Sequence, residues 1–173
     1  MNEINVDLEA LPIGDDAPEL VNVVVEVPVG SRNKYEYEPE LGIIMRDRVL
    51  PGNVRFPADY GFVPSTEGAD GEPLDIMVAA YDPVFPGCVV QARVIGALEM
   101  TENGEPEYNI FAVPNDDPRC DDIKELDDMP EQNLREIEQF YATYKQLEGD
   151  EDVEIHSWLS KEEAQEIIHE SSR

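Results

Sequence analysis

Short runs of apolar residues, several of them alternating with polar residues, occupy most of the chain before residue 114 and are separated by prolines and glycines. Runs of this length that are rich in β-branched and aromatic side chains predict β-strands. Short strands at such close spacing favour a β-barrel. The predicted strands are Val21–Val27, Lys34–Glu38, Ile43–Val49, Leu74–Tyr81, Val89–Leu98 and Asn109–Val113.

After Pro130 the apolar residues recur every three or four positions, which predicts a helix with one apolar face. Asp128 is a candidate cap for this helix, with Pro130 in the first turn. Tyr144, near the end of the face, can pack its ring in the core and still offer its hydroxyl to a ligand. The residues on the face are Leu134, Ile137, Phe140, Tyr141, Tyr144 and Leu147.

A second helix is predicted to close the chain. Ser160 followed three positions later by Glu163 is a capping box, in which each side chain accepts the backbone N–H of the other residue. Ala164, Ile167 and Ile168 then face inward. The pattern as a whole therefore predicts a mainly β protein with two late helices.

A chain of 173 residues with 41% hydrophobic residues can bury a proper core, and we expect a single domain over residues 1–173. Residues 1–19 are acidic and are expected to form an arm that either wraps around this domain or frays. No run approaches the roughly 18 apolar residues of a membrane span, and the N-terminus lacks a signal-peptide pattern. These features predict a cytoplasmic protein that does not bind membranes.

Acidic residues dominate the charge, because 40 Asp and Glu stand against 12 Lys and Arg and give a formal net charge of -28. Such a surface would repel nucleic-acid phosphates, so nucleic acid is not expected as a partner. It looks like the surface of a halophile's protein and predicts a fold that needs concentrated salt. Most acidic clusters are expected to be solvated surface, namely Asp116–Asp117, Asp121–Asp122, Asp127–Asp128 and Glu148–Glu154.

One acidic cluster differs from these. In Asp70–Asp75 three carboxylates alternate with Gly71 and Pro73, which permit and fix the backbone angles of a tight turn. The apolar run Ile76–Ala80 follows and would anchor the turn on a buried strand. Clustered carboxylate oxygens suit a hard cation such as Mg²⁺, or alternatively Mn²⁺, far better than Zn²⁺.

Cations are so scarce that each one needs an explanation, since the chain contains only four lysines: Lys34, Lys124, Lys145 and Lys161. Lys34 lies in a predicted strand, Arg48 ends the next one, and Lys145 follows Tyr144 on the predicted helix. Alone, each would be read as an ordinary surface charge. Cations beside carboxylates are, however, what a protein needs to hold a polyanion together with the metals that neutralise it.

From about Val23 to the last helix these motifs together resemble the family I soluble inorganic pyrophosphatases of the prokaryotic type, with the acidity of a halophilic archaeal member. The family pattern Asp-x-Asp-Pro-x-Asp is matched at residues 70–75. The other matching segments are Val25–Pro28, Lys34–Glu36, Asp47–Arg48, Pro57–Phe62, Met100–Glu107, Ala112–Pro114 and Tyr144–Lys145.

The resemblance implies an α+β, mainly β fold, namely a closed five-stranded OB-like β-barrel with flanking helices, two of them near the C-terminus. It implies Mg²⁺-dependent hydrolysis of inorganic pyrophosphate to two phosphates by metal-activated water, without a covalent intermediate. It also implies a homohexamer.

The resemblance also implies a role for each matching residue. Glu72 is the catalytic base for the attacking water, and Glu36 is a further active-site residue that contacts metal or water. The metal ligands are Asp70, Asp75, Glu102 and Glu107, with Glu26 reaching a metal through water. The substrate-binding residues are Lys34, Arg48, Tyr60, Tyr144 and Lys145.

The chain departs from the family pattern in several places. Glu72, Glu102 and Glu107 replace aspartates, which keeps the charge but lengthens each side chain, and Asn109 replaces a lysine and so removes a cation. Phe56 replaces a tyrosine and loses its hydroxyl. Two alternatives to an active enzyme are therefore a catalytically impaired relative and an acidic protein that only binds divalent cations.

Overall fold

The structure is a computed structural model that describes residues 6–149 and 151–173. The strands are β1 Leu20–Val27, β2 Asn33–Glu38, β3 Ile43–Val49, β4 Asp59–Val63, β5 Leu74–Val78, β6 Val89–Glu102, β7 Glu105–Pro114 and β8 Val153–Leu159. The α-helices are α1 Glu131–Thr143 and α2 Lys161–Ser171, and short 3₁₀ turns cover Leu8–Ala10, Pro118–Cys120 and Leu126–Asp128. Within these two ranges no helix is long and apolar enough to cross a membrane.

Five strands close into a ring in the order β1-β4-β5-β7-β6, because β6 pairs back onto β1. All neighbours in the ring are antiparallel except β5 and β7, which are parallel. Strand β8 extends the sheet beside β6, and β2 and β3 form a separate hairpin. Closure leaves the ring without free edges. The predicted mainly β fold with a closed five-stranded barrel and two late helices is confirmed.

The ring strands are apolar on both faces, which explains why their sequences read as nearly continuous runs; Val24 and Val25, for example, are both fully buried. One core cluster joins side chains from all five ring strands to Ala164 and Ile168 of α2. A second cluster joins β5, β6 and β7 to α1 and includes Phe140. Each helix thus packs against a different core cluster of the barrel.

Two strands were not predicted from the pattern. Strand β4 is only five residues long and follows directly after Pro57 and Ala58, and β8 begins beside an acidic run. Strand β6 is also longer than predicted, since β6 and β7 form a hairpin that turns at Asn103 and Gly104, both with positive φ. Asn-Gly is the preferred pair for such a two-residue turn, so a hairpin signal was present there.

The start and end of α1 differ from the prediction. Pro130 is the N-cap, and Asp128 lies in the preceding 3₁₀ turn, where its carboxylate accepts the backbone N–H groups of Lys124 at 2.9 Å and Glu125 at 3.1 Å. The helix ends before Tyr144, and Leu147 is 80% exposed instead of facing the core. The capping box of α2 is confirmed, with Ser160 and Glu163 each accepting the other's backbone N–H.

Residues 6–19 of the predicted arm lie across the barrel. The backbone N–H of Leu8 donates to the Tyr37 hydroxyl at 3.1 Å, and Ser65 donates its N–H to the Glu9 carbonyl at 2.8 Å. Leu8 and Leu11 pack against a small core cluster that contains Phe62. This segment therefore wraps the barrel; residues 1–5 lie outside the described residues.

Asp59 is a buried carboxylic acid at the start of β4. It is 1% exposed, and its Oδ1 accepts the backbone N–H of Val29 at 2.8 Å. Burial raises its pKa from 3.8 to about 6, although the hydrogen bond from Val29 opposes the shift. The folded protein thus holds this proton more tightly than the unfolded chain does. The stability that Asp59 contributes is present below about pH 4 and is lost as the pH rises through about 6.

We therefore expect Asp59→Asn to raise the thermal unfolding midpoint at neutral pH, with the difference vanishing towards pH 4. The amide oxygen can still accept the Val29 N–H, and a neutral group avoids the cost of burying a charge. Two pKa units correspond to about 3 kcal/mol, which we reduce to about 1–2 kcal/mol because Asp59 borders a surface cavity. Thermal melts across this pH range measure the difference. Asp116→Asn, an exposed site on the same cavity, is the control, and a pH-independent gap would contradict the assignment.

The net charge of -28 leads to a prediction about salt. Raising KCl from 0.1 M to about 3 M should raise the thermal unfolding midpoint, because the folded protein concentrates its acids in a smaller volume than the unfolded chain. The screening length falls from about 10 Å at 0.1 M salt to about 3 Å at 1 M, which leaves only near neighbours interacting. Melts in sorbitol of matched osmolality control for non-ionic effects. A midpoint that stays flat or falls in KCl would rule out a salt-adapted surface.

Candidate active site

A cavity of about 430 Å³ brings together all twelve residues that the sequence predicts for the site. Nearly every element near this end of the barrel contributes: β1, the β2–β3 hairpin, β4, β5, the β6–β7 hairpin and the segment after α1. The twelve residues are Glu26, Lys34, Glu36, Arg48, Tyr60, Asp70, Glu72, Asp75, Glu102, Glu107, Tyr144 and Lys145. The cavity is also lined by Glu9, Tyr37, Phe62 and Pro73, which sequence reasoning did not identify.

The acidic segment Asp70–Asp75 forms a turn that leads into β5. Gly71 has φ 84°, a left-handed conformation that favours glycine. The Asp70 Oδ1 accepts the backbone N–H of Glu72 at 3.0 Å, which fixes the turn. Asp75 lies on β5 itself, whereas Asp70 and Glu72 lie on the exposed turn before it. One carboxylate is therefore held rigidly and two can adjust.

Asp75, Glu102 and Glu107 form the acidic centre of the cavity. Burial raises the pKa of Glu107, and the carboxylates of Glu102 and Asp75 raise it further. Burial also raises the pKa of Asp75, although hydrogen bonds to Tyr60 and Glu107 oppose the shift. The pKa of Glu102 is lowered despite burial, through hydrogen bonds to Glu151 and Glu107 and its contact with Lys145. Three carboxylates this close repel one another, so a bound cation would stabilise the group.

Glu26 lies deeper than the other carboxylates. It is 9% exposed on β1, and its Oε1 accepts the backbone N–H of Tyr37 at 2.8 Å. Burial raises its pKa to about 8, against the opposing effect of that hydrogen bond. Glu26 therefore lines the cavity with one carboxylate oxygen already engaged by the backbone.

Two aromatic side chains near the cavity are positioned by close packing. Gly61 lets β4 cross β1 closely, because a Cβ at this position would lie 1.9 Å from the Val24 carbonyl oxygen. This contact places Tyr60 in the cavity wall. Tyr144 stacks on Phe140 with ring centroids 4.8 Å apart and an interplanar angle of 15°. Tyr144 follows α1 as its C-cap residue, so its ring packs while its hydroxyl end borders the cavity.

Each cation of the cavity pairs with carboxylates. Lys34 contacts Glu36 and lies 3.8 Å from Asp47, and its side chain is only 12% exposed. The Arg48 Nε lies 2.7 Å from Glu148 Oε1, and its guanidinium also contacts Asp47. These ion pairs hold the two cations at the β2–β3 hairpin.

Lys145 contacts Glu102, and its Nζ lies 3.0 Å from Glu151 Oε2. Glu148 and Glu151 are exposed, as predicted for the run Glu148–Glu154, but they also form ion pairs with cations of the cavity that were not predicted. The Glu148 contact joins residues 100 positions apart, so no local pattern could have revealed it. Asp150, within the same run, lies outside the described residues.

The donor atoms of the cavity fit a hard divalent cation. Its described lining contains carboxylates and phenols but no His or Cys. Among residues 6–149 and 151–173, no three acidic, His or Cys side chains converge on a single point as a complete ligand set. Paired carboxylates suit Mg²⁺, which usually keeps several waters and binds through one or two carboxylates and substrate phosphates.

Comparison with known proteins agrees with this site. The family model described as inorganic pyrophosphatase matches residues 23–173. The chain belongs to the inorganic pyrophosphatase family. The resemblance seen in the sequence is therefore confirmed at the level of the family.

Two curated members of the inorganic pyrophosphatase family illustrate the similarity. The inorganic pyrophosphatase of Haloferax volcanii is 44% identical over 160 residues, which cover 92% of this chain and 90% of that protein. That of Thermus thermophilus is 46% identical over 164 residues, which cover 94% of each. The similarity thus spans nearly the whole of both proteins.

Solved structures of the inorganic pyrophosphatase family share the fold. The crystal structure of the Thermus thermophilus enzyme superposes with a TM-score of 0.93 at 44% identity and covers 95% of both chains. The Helicobacter pylori enzyme gives 0.88 at 37% identity, covering 93% of this chain and 95% of that one.

Proposed function

We propose that the protein hydrolyses inorganic pyrophosphate to two phosphates. The observation that carries the proposal is one cavity in which clustered carboxylates meet three cations and three phenols. A polyanion with its neutralising metals needs both kinds of side chain. A protein that only stored cations would gain nothing from the ammonium of Lys145 beside Glu102. Family membership supports the same activity.

Divalent cations are proposed to bind at Asp70, Asp75, Glu102 and Glu107, with Glu26 contributing through water. Mg²⁺ is the proposed ion and Mn²⁺ the alternative. When bound, such cations neutralise phosphate oxygens and lower the pKa of water in the site. Asp70 lies on the exposed turn and Asp75 on β5, so the two carboxylates would approach a cation from different elements. Glu36, exposed on β2, is proposed to contact metal or water at the rim.

Glu72 is proposed to accept the proton of the attacking water. Its side chain is on the exposed turn and it lines the cavity beside Asp75, so it can reach the reaction centre without being fixed in an ion pair. A positioned base of this kind contributes through proton transfer in the transition state. No covalent intermediate is needed, because water attacks phosphorus directly.

Lys34, Arg48, Lys145, Tyr60 and Tyr144 are proposed to bind pyrophosphate. The three cations contact Glu36, Glu148 and Glu102 in the structure, so phosphate oxygens would replace carboxylates as their partners. This exchange keeps each cation partnered before and after binding. The same contacts stabilise negative charge on the leaving phosphate.

A phosphate-release assay tests the proposed function. Purified protein with Mg²⁺ is given pyrophosphate, tripolyphosphate or ATP at equal concentration. We expect release from pyrophosphate at a rate well above that from the other two, because the cavity of about 430 Å³ offers three cations to a short polyanion. No release from pyrophosphate at any Mg²⁺ or salt concentration would refute the proposal.

We also propose that residues 1–173 form one domain that assembles as a homohexamer in the cytoplasm. Family membership and the wrapping of residues 6–19 around the barrel support these statements. Mass measurement by light scattering, carried out in concentrated salt, tests the assembly.

A further inference from the structure

Two buried polar atoms behind the cavity have no hydrogen-bond partner among the described residues of the protein. They are Oδ1 of Asn109 and the hydroxyl of Tyr141, and they are the only such side-chain atoms in those residues. Asn109 is 3% exposed and Tyr141 is 4% exposed. Both border one narrow crevice, too small to hold a water molecule, together with Met77 and Trp158. Buried polar groups normally have partners, so two lone ones side by side call for an explanation.

The strand register places Asn109, at the edge of this crevice, beside two carboxylates of the acidic centre. Asn109 follows Glu107 by two positions on β7, so both side chains lie on the same face of the strand. Ile76 pairs with Ile110 in the parallel β5–β7 ladder, which puts Asp75 beside Asn109, one step earlier. Helix α1 covers this face with Tyr141. Asn109 and Tyr141 thus form the floor below Asp75 and Glu107.

Tyr141 is suited to donate a hydrogen bond to these carboxylates. Burial raises the pKa of its phenol well above the ordinary value, and the charges of Asp75 and Glu107 raise it further. The phenol therefore keeps its proton, and the carboxylates of Asp75 and Glu107 that act on it are acceptors. Removing a buried, unpaired hydroxyl would ordinarily stabilise a protein, so its presence favours a use outside folding.

Asn109 is held only weakly. Its Nδ2 donates to the Met100 Sδ at 2.9 Å, and a thioether is a weak acceptor. The carboxamide can therefore turn and exchange this contact for a stronger one. It carries both a donor and an acceptor, so it can bond a carboxylate and the Tyr141 hydroxyl at the same time.

We propose that Tyr141 and Asn109 are positioning residues for Asp75 and Glu107. Their hydrogen bonds would hold the two carboxylates from behind in the orientation that binds divalent cations. This inference rests on the proposed function of the cavity. It assigns a role to the hydroxyl of Tyr141, a residue that the helical pattern predicted only as part of an apolar face.

Tyr141→Phe tests the inference because it removes the hydroxyl and keeps the ring. Mn²⁺ is titrated into substrate-free protein, and free Mn²⁺ is measured by electron paramagnetic resonance. The expected result is a Kd for Mn²⁺ raised about tenfold or more, as is usual when a hydrogen-bond partner of a metal ligand is lost. The metal-free unfolding midpoint should stay equal or rise. Tyr81→Phe, an exposed tyrosine on another cavity, is the control and should change neither value.

Asn109→Ala and the double variant complete the experiment. If both residues act on the same carboxylates, the double variant should weaken Mn²⁺ binding by less than the product of the single effects. If Asn109→Ala fails to fold, Tyr141→Phe alone decides. A Kd for Mn²⁺ in Tyr141→Phe within about twofold of the parent value would overturn the inference. The titration contains no pyrophosphate, so its outcome is independent of whether the parent protein hydrolyses that substrate.

Discussion

Removal of divalent cations is expected to abolish phosphate release from pyrophosphate. Without them the acidic centre of Asp75, Glu102 and Glu107 faces the incoming anion with its own negative charge, and binding becomes unfavourable. The three cations of the cavity cannot compensate, because its carboxylates outnumber them. The assay compares protein in excess EDTA with the same sample after Mg²⁺ is added back. Turnover that persists unchanged in EDTA would show that the carboxylates do not work through metal.

The same assay can compare the rates that different divalent cations support. Mg²⁺, Mn²⁺ and Ca²⁺ are added separately to the metal-free protein, and initial rates are recorded over a range of concentrations. Glu102 and Glu107 have longer side chains than the aspartates of the family pattern, so the positions of the bound cations can shift and change the preference between ions. A higher rate with Mn²⁺ than with Mg²⁺ would fit this shift. All samples contain the same high KCl concentration, so that unfolding at low salt does not affect the comparison.

The sequence predicted the strands well where apolar residues form a nearly continuous run. The apolar runs around Val23 and Ile76 are buried on both faces and could be read directly as strands. Strand β4 was missed because it is only five residues long and contains Gly61, a residue that is unfavourable in strands, although Gly61 is needed for the close approach to β1. The end of α1 was predicted too late because Leu147 continues the helical spacing of apolar residues, whereas the helix ends at Thr143.

The site was predictable as a set of residues but not as a network. All twelve predicted side chains line one cavity, since motif positions carry the chemistry. Their partners Glu148 and Glu151 were hidden in an acidic run, because ion pairs across the chain leave no local signal. The floor formed by Asn109 and Tyr141 was equally hidden: a tyrosine on an apolar helical face looks like core until the strand register is known.

The acidic surface and the site impose opposite demands on the solvent. Concentrated salt weakens repulsion among surface acids, but it also screens the attraction of Mg²⁺ and pyrophosphate to the cavity. Buried pairs are screened less than exposed ones, and the side chains of Lys34 and Lys145 are only 12% and 17% exposed. The cavity's cations should therefore keep most of their effect under conditions that stabilise the fold.

Glu72→Gln is expected to lower kcat by about 10²–10⁴-fold, and added Mg²⁺ should not restore it. Gln keeps the size of the side chain and the backbone turn at Asp70, but it cannot accept the proton of the attacking water. Asp75→Asn is the matched comparison, because it removes one negative charge from the same segment at a position proposed to bind metal. The Asp75→Asn variant should need a higher Mg²⁺ concentration for activity, and excess Mg²⁺ should partly restore its rate.

The contrast between the two variants separates proton transfer from metal binding. Rates are measured for both over a wide Mg²⁺ range at constant high ionic strength, with Mn²⁺ binding followed in parallel. Glu72→Gln should bind Mn²⁺ nearly as the parent does, whereas Asp75→Asn should bind it more weakly. If excess Mg²⁺ restores both variants equally, Glu72 is a metal ligand like Asp75. The proton acceptor must then be sought among the remaining carboxylates of the cavity. The first candidate is Glu26, whose Oε1 accepts the backbone N–H of Tyr37.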